Sequence, residues 1–156
     1  MKVRFIMSTP ITVTPDTPIF KAAQLMEEER IGTVIVVDKN KKAIGIITDR
    51  DIVTRGIAYG YSVHEPVQTI MSKRLYVIDE NDDLSTALFH MSFKQVRRLI
   101  VLNQNKELTG IISLGDIAKT EYFELGVGQA LTRISYPYSD WMNHPHYGVE
   151  VDDFRL

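Results

Sequence analysis

The chain contains no cysteine. Disulfides, thiolate metal sites and thiol nucleophiles are therefore excluded. No apolar run reaches the 18 residues of a membrane-spanning helix, and the first ten residues, MKVRFIMSTP, hold no apolar stretch long enough for a signal peptide. A cytoplasmic location with no membrane partner is the expectation. Net charge is also scarce, at -2 with a pI near 6.1. That gives no polycation for duplex nucleic acid, although Lys94, Arg97 and Arg98 form a small basic cluster. No Gly-x-x-x-x-Gly-Lys-Ser/Thr loop, His-Glu-x-x-His pair or nucleophile elbow occurs, and Gly126-Val127-Gly128 lacks the third glycine of a dinucleotide fingerprint and reads as a helix end. The four histidines are scattered. His144 and His146 flank a proline without further ligands, and His90 reads as a helix-face residue, so no metal site is expected. Nothing here suggests catalysis.

What the chain does contain is a duplication. Gly45-Ile46-Ile47-Thr48-Asp49-Arg50-Asp51-Ile52 returns 65 residues later as Gly110-Ile111-Ile112-Ser113-Leu114-Gly115-Asp116-Ile117. In each copy a glycine opens an apolar strand, a hydroxyl residue ends it, and an aspartate follows three positions on. The surroundings repeat too. Ile6-Met7-Ser8 is answered by Ile70-Met71-Ser72, and the stripe Ile19, Ala22, Ala23, Met26 by Leu84, Ala87, Leu88, Met91. These stripes have the i, i+3, i+4, i+7 spacing of amphipathic helices.

In order, Ile11–Thr14 reads as a short strand, and Thr17 with Pro18 as a helix start in which Thr17 is the N-cap. Gly32 is the expected left-handed end of that helix. Thr33–Val37 is β-branched throughout, as in a strand buried on both faces, and returns through the polar turn 38–42 to Ala43–Ile47. Thr48 opens a helix to about Ala58, before the loop Tyr59-Gly60-Tyr61-Ser62. In the second copy, Leu75–Ile78 is the strand, Asp82 or Asp83 starts the helix, 99–102 and 108–112 form the hairpin, and Ser113 opens a helix to about Leu125. Each unit reads strand, helix, strand, strand, helix. Units near 60 residues are marginal alone, so a shared sheet-on-sheet core is expected.

Residues 121–156 differ. They hold seven of the 14 aromatics, with the single tryptophan, and six acids against two arginines. Such a segment either packs on its own module or a dimer partner, or docks another protein.

The duplicated pattern resembles a tandem pair of CBS domains (the cystathionine-β-synthase repeat, paired as a Bateman module) over about residues 3–120. The resemblance implies a mixed α+β fold of two β-α-β-β-α repeats, here 1–65 and 66–126, packed with pseudo-twofold symmetry, with 127–156 as a C-terminal extension. It also implies two equivalent clefts between the repeats. Members of the family bind adenosine-containing ligands (AMP, ADP, ATP, S-adenosylmethionine, cyclic dinucleotides) and often form homodimers.

The residues make chemical sense of this. One carboxylate can accept from both hydroxyls of a ribose, which points to Asp51 and Asp116, and Thr48 and Ser113 beside them can hold a ribose or phosphate oxygen. The same Thr/Ser-x-x-Asp spacing is also that of a capping box, so a purely structural role stands beside the binding one. Arg97 and Arg98, whose counterparts in the first copy are Gly32 and Thr33, are candidate phosphate residues together with Arg50. Thr12, Val13, Thr33, Val34, Tyr76, Val77 and Leu99 are the candidate adenine walls by family position. In the family a proline often follows in the buried strands, where this chain has Ile35 and Ile100. The arginines favour an adenine nucleotide (AMP, ADP or ATP) over cationic S-adenosylmethionine or a cyclic dinucleotide. The expected function is a non-catalytic sensor module. The competing readings are an interaction protein with vestigial clefts that acts through 127–156, and an enzyme on an adenosine substrate.

Overall fold

A computed structural model describes residues 1–137. It contains two three-stranded sheets of identical topology. In the first, β1 (Thr12–Val13) runs parallel to β2 (Thr33–Val37), which pairs antiparallel with β3 (Ala43–Thr48). In the second, β4 (Val77–Asp79), β5 (Arg98–Leu102) and β6 (Leu108–Ser113) repeat the arrangement, down to a register shift at Val36/Val37 and at Val101/Leu102. Helix α1 (Ile19–Glu28) joins β1 to β2, and α3 (Leu84–Lys94) joins β4 to β5. The expected strands are present, with β1 shorter than 11–14 and β4 beginning two residues after Leu75.

Alternation along the strands divides the core into three. Val34, Val36 and Ile47 face α1, where Ile19, Ala22 and Met26 are buried with them. Leu99, Val101 and Ile112 face α3 with Leu84, Ala87, Leu88 and Met91. The intervening residues Ile35, Val37 and Ile100 form a third cluster with Leu75, Val77, Leu102, Leu108 and Ile111. This cluster is the seam where the two sheets meet.

The chain exchanges its leaders across this seam. The turn Val3–Phe5 precedes the first repeat, yet Val3 is buried in the core of the second. The turn Val67–Thr69 precedes the second repeat, yet Val67 and Ile70 are buried in the core of the first. Ser8 exchanges backbone hydrogen bonds with Ile111 (2.9 and 3.0 Å), and Ser72 with Ile46 (both 2.9 Å). Gly45, the third residue of β3, and Gly110, the third of β6, permit this approach. A Cβ on Gly45 would collide with Met71 Sδ, and one on Gly110 with Met7 Sδ.

The exchange also explains the helix starts. Thr17 is not the N-cap of α1. Pro18 holds that position, and the free Ile19 and Phe20 N–H groups donate to the carbonyls of Glu65 and Val63 (both 2.9 Å) in the second leader. Likewise Leu84 N–H donates to Met1 O at 3.0 Å, while the cap residue Asp83 accepts from Lys2 Nζ at 3.1 Å. That hydrogen bond holds the Asp83 carboxyl below its ordinary value. A neighbouring chain segment thus satisfies donors that a capping side chain would otherwise take.

Other helix ends depart from expectation. Gly32 is not the left-handed residue after α1. Arg30 is (φ 53°), and Ile31 N–H closes onto Met26 O at 2.9 Å. Gln95 (φ 52°) and the Val96–Met91 bond repeat this after α3. Both are Schellman ends, set by the six-to-one hydrogen bond rather than by residue type. After β3, α2 (Asp49–Asp51) widens into a π-helical turn over Ile52–Gly56 and tightens over Ile57–Tyr59. After β6, α4 (Leu114–Ala118) stops well short of Leu125. A separate helix, α5 (Glu124–Ser135), follows Tyr122 at φ 71°. Gly126 and Gly128 lie inside α5, not at a helix end. A Cβ on Gly126 would come within 3.0 Å of Leu88 Cδ1, so the glycine sets how closely α5 sits on α3. Ala130 is buried there, and Gln95 Nε2 donates to the carbonyls of Arg133 and Tyr136 at the end of α5. The beginning of the extension therefore packs on its own module, while Tyr138, Trp141, His144, His146, Tyr147 and Phe154 lie outside the described residues. Among the described residues no helix is long and apolar enough to cross a membrane.

The Gly45–Met71 and Gly110–Met7 contacts lead to a direct test of the exchange. Gly110→Ala should cost about 1–3 kcal/mol by overpacking. Combined with Met7→Ala it should show a coupling of at least about 0.5 kcal/mol in denaturant unfolding. Strict additivity would separate the two residues.

Candidate functional site

Strand register brings the predicted residues to the margins of the seam. Thr33 pairs with Thr48 two residues beyond the pair Ile35 and Ile46, and Arg98 pairs with Ser113 two residues beyond Ile100 and Ile111. Ile35, Ile100 and Ile111 belong to the seam cluster. Alternation therefore puts Thr33 with Thr48, and Arg98 with Ser113, on that same face where each sheet ends.

At each margin the strand passes directly into a helix. Gly32 O accepts from Asp49 N–H at 3.1 Å, and Arg97 O from Leu114 N–H at 2.9 Å. The junction is then closed by a full capping box. Asp51 Oδ2 accepts from Thr48 N–H at 2.9 Å and from Thr48 Oγ1 at 2.8 Å, while Asp51 N–H donates to Thr48 Oγ1 at 3.1 Å. Asp116 Oδ2 accepts from Ser113 N–H at 2.9 Å and Ser113 Oγ at 2.6 Å, and Asp116 N–H donates back at 3.1 Å.

The structural role and a binding role are compatible, because the box uses one carboxylate oxygen of two. Asp116 Oδ1 accepts no hydrogen bond among the described residues. Asp51 Oδ1 faces Arg55 Nε at 3.5 Å, in a pair whose side chains are 16% and 50% exposed respectively. Beside Asp51, Thr33 is only 6% exposed, and its Oγ1 has no hydrogen-bond partner among the described residues. A hydroxyl buried without a partner is costly unless something else satisfies it.

The CBS domain family model matches residues 3–57 and 67–121. The chain belongs to the CBS domain family. It is similar to the CBS domain-containing protein YhcV of Bacillus subtilis, with 38% identity over 135 residues, 86% of this chain and 95% of that protein. Among solved structures it is similar to the CBS domain pair of protein MJ0100 in complex with 5′-methylthioadenosine and S-adenosyl-L-methionine. The TM-score there is 0.68 and the identity 25%, over 76% of this chain and 94% of that one. The CBS domain protein PAE2072 from Pyrobaculum aerophilum, complexed with AMP, shares the fold with a TM-score of 0.74 at 20% identity, over 82% of this chain and 98% of that one.

Within this CBS pair the sequence-selected residues fall into three groups. Thr33, Thr48 and Asp51 meet at one margin, and Arg98, Ser113 and Asp116 at the other. Thr12 and Val77 pair with Ile35 and Ile100 and so share the seam face. The side chains of Val13, Val34 and Leu99 point the other way, into the helix-side cores, and Tyr76 packs against the second of these. A ligand at the seam can meet only the backbone of such positions. Arg97 is exposed and Arg98 half-buried, and neither guanidinium has an ion-pair partner among the described residues. Arg50, between Asp49 and Asp51, is exposed at the other junction.

Two features were not selected from sequence. Arg55 carries an i, i+4 acid–base spacing to Asp51 that was visible but unread. Asp49 lies over Gly32, where an added Cβ would sit 3.0 Å from Asp49 Oδ2, and this contact has no sequence signature. Among the described residues no group of three or more His, Cys, Asp or Glu side chains could hold a metal. Burial is the main influence on His90 and lowers its pKa, against the raising effect of Asp82.

The unpartnered Thr33 hydroxyl gives a sharp comparison. Without ligand, Thr33→Val should be neutral or stabilising by up to about 1 kcal/mol, since it removes an unsatisfied group. Thr48→Val should instead cost about 1 kcal/mol through loss of the cap. Urea unfolding of both variants measures the difference.

Proposed function

We propose that this chain is a non-catalytic regulatory module that binds an adenosine-containing ligand at the two margins of the inter-repeat seam. Its carrying observation is the duplicated junction in which the capping box leaves one carboxylate oxygen unused by the cap. Asp51 and Asp116 accept the ribose hydroxyls through that oxygen, at roughly 1.5–3 kcal/mol per charge-assisted bond. Thr33, Thr48 and Ser113 supply neighbouring hydroxyls. Thr12, Val77 and the backbones of Val13, Val34, Tyr76 and Leu99 form the adenine walls. The adenosine compounds held by the MJ0100 pair support the ligand class.

Arg97 and Arg98 extend the reading to a phosphorylated ligand of the AMP, ADP or ATP type. Guanidinium groups pair readily with phosphate and repel the sulfonium of S-adenosylmethionine. The module works as a homodimer, and exposed Val53, Ile57 and Tyr59 on the helical segment after β3 are the surface we assign to the second copy.

Thermal unfolding with AMP, ADP, ATP, S-adenosylmethionine and a cyclic dinucleotide tests this proposal. A ligand at 100 times its dissociation constant adds about 2.7 kcal/mol, or about 5–10 °C for a chain of this size. At least one adenine nucleotide should give such a shift, and Thr33→Val should reduce it. No shift with any of these compounds at millimolar concentration would refute the module.

A further inference from the structure

The two junctions are built alike, but their free carboxylate oxygens are not equally available. Four residues after Asp51 stands Arg55, and its guanidinium bridges two groups. Nε lies 3.5 Å from Asp51 Oδ1, and Nη1 donates to Ile70 O at 3.5 Å. The first is the only oxygen of Asp51 that the capping box leaves. The second belongs to the exchanged leader, two residues before Ser72 bonds to β3. Arg55 lies within the widened helical turn Ile52–Gly56 that follows α2 directly. In the second repeat the equivalent residue is Thr120, whose hydroxyl turns back to Asp116 O at 3.4 Å. Among the described residues no cation reaches Asp116 Oδ1 there.

A ribose hydroxyl arriving at Asp116 meets an unengaged acceptor. One arriving at Asp51 must first share or displace a guanidinium. Asp51 is 16% exposed, so its carboxylate depends on protein groups more than on water, whereas half-exposed Arg55 regains solvent readily when it leaves. The buried Thr33 hydroxyl without a partner marks the same margin as built for a ligand and not only for the ion pair. We infer that Arg55 is an internal competitor for the ribose-binding carboxylate of the first cleft. The clefts then fill in sequence, Asp116 before Asp51, and filling the second event's site releases Arg55 from the leader at Ile70. This rests on the adenosine reading above, and it adds an order of occupancy and the residue that sets it.

Calorimetric titration of the full chain with AMP, and separately with adenosine, tests the inference. Two classes of site are expected. Arg55→Thr, which copies position 120, should tighten the weaker class by about two- to five-fold, the range of a partly exposed ion pair, and leave the tighter class unchanged. Arg55→Lys should stay nearer the wild type. The gain should be equal for AMP and adenosine, because the competition is at the ribose and not at a phosphate. Arg55→Thr without effect, or with weaker binding, would overturn the inference, as would a gain confined to AMP or two equal sites in the wild-type chain. Absence of binding by both compounds would refute the ligand-binding module itself.

Discussion

Met7 lies over Gly110 and Met71 over Gly45, and each contact fastens a leader to a hairpin of the other repeat. Backbone bonds from Ser8 to Ile111 and from Ser72 to Ile46 continue the attachment. Neither core is complete without it. Val3 fills the core of the second repeat, while Val67 and Ile70 fill that of the first. A unit of about 60 residues buries little apolar surface by itself. Here each repeat completes its core with chain borrowed from the other, and the two sheets close over Ile35, Val37 and Ile100.

The position of the junctions follows from that packing. Once the sheets meet face to face, the strand residues two places beyond the seam core stand at its margins. These are Thr33 with Thr48 and Arg98 with Ser113. The change from strand to helix occurs at the same point, so an acid three residues on folds back to cap its own helix and keeps one oxygen outside the cap. In the proposed site, structure and binding use the same carboxylate, so the spacing alone does not separate them. Charge then distinguishes the margins. Arg97 and Arg98 stand at one, Asp49 and the Asp51–Arg55 pair at the other.

Much of this was legible in the chain. The helical stripes, both hairpins and the junctions appeared as two copies of one pattern, and patterns of buried alternation depend on local sequence. The exchange of leaders was not legible. Similarity between Ile6-Met7-Ser8 and Ile70-Met71-Ser72 shows that both segments do the same task, not which repeat each performs it on. The helix ends were misread for a related reason. Thr17 and Gly32 are good terminators by type, but the orphan groups of α1 are satisfied by Glu65, Val63 and the Ile31–Met26 bond. Gly126-Val127-Gly128, which lacks the rest of a dinucleotide fingerprint, points by sequence to a helix end, yet both glycines lie inside α5. Their value lies in the close approach of Gly126 to Leu88, which only the packed structure reveals. Arg55 is legible in principle, since its i, i+4 spacing to Asp51 lies in the sequence, but its second contact with Ile70 O needs the folded chain.

In the proposed module the seam margins, and not the surface of α5 or the exposed helix after β3, receive the ligand. Amide chemical-shift mapping during an AMP titration tests that location most directly. The largest perturbations are expected at Thr33, Thr48–Asp51, Arg98 and Ser113–Asp116. Perturbations confined to α5 or to Val53–Tyr59, with both junctions silent, would contradict it.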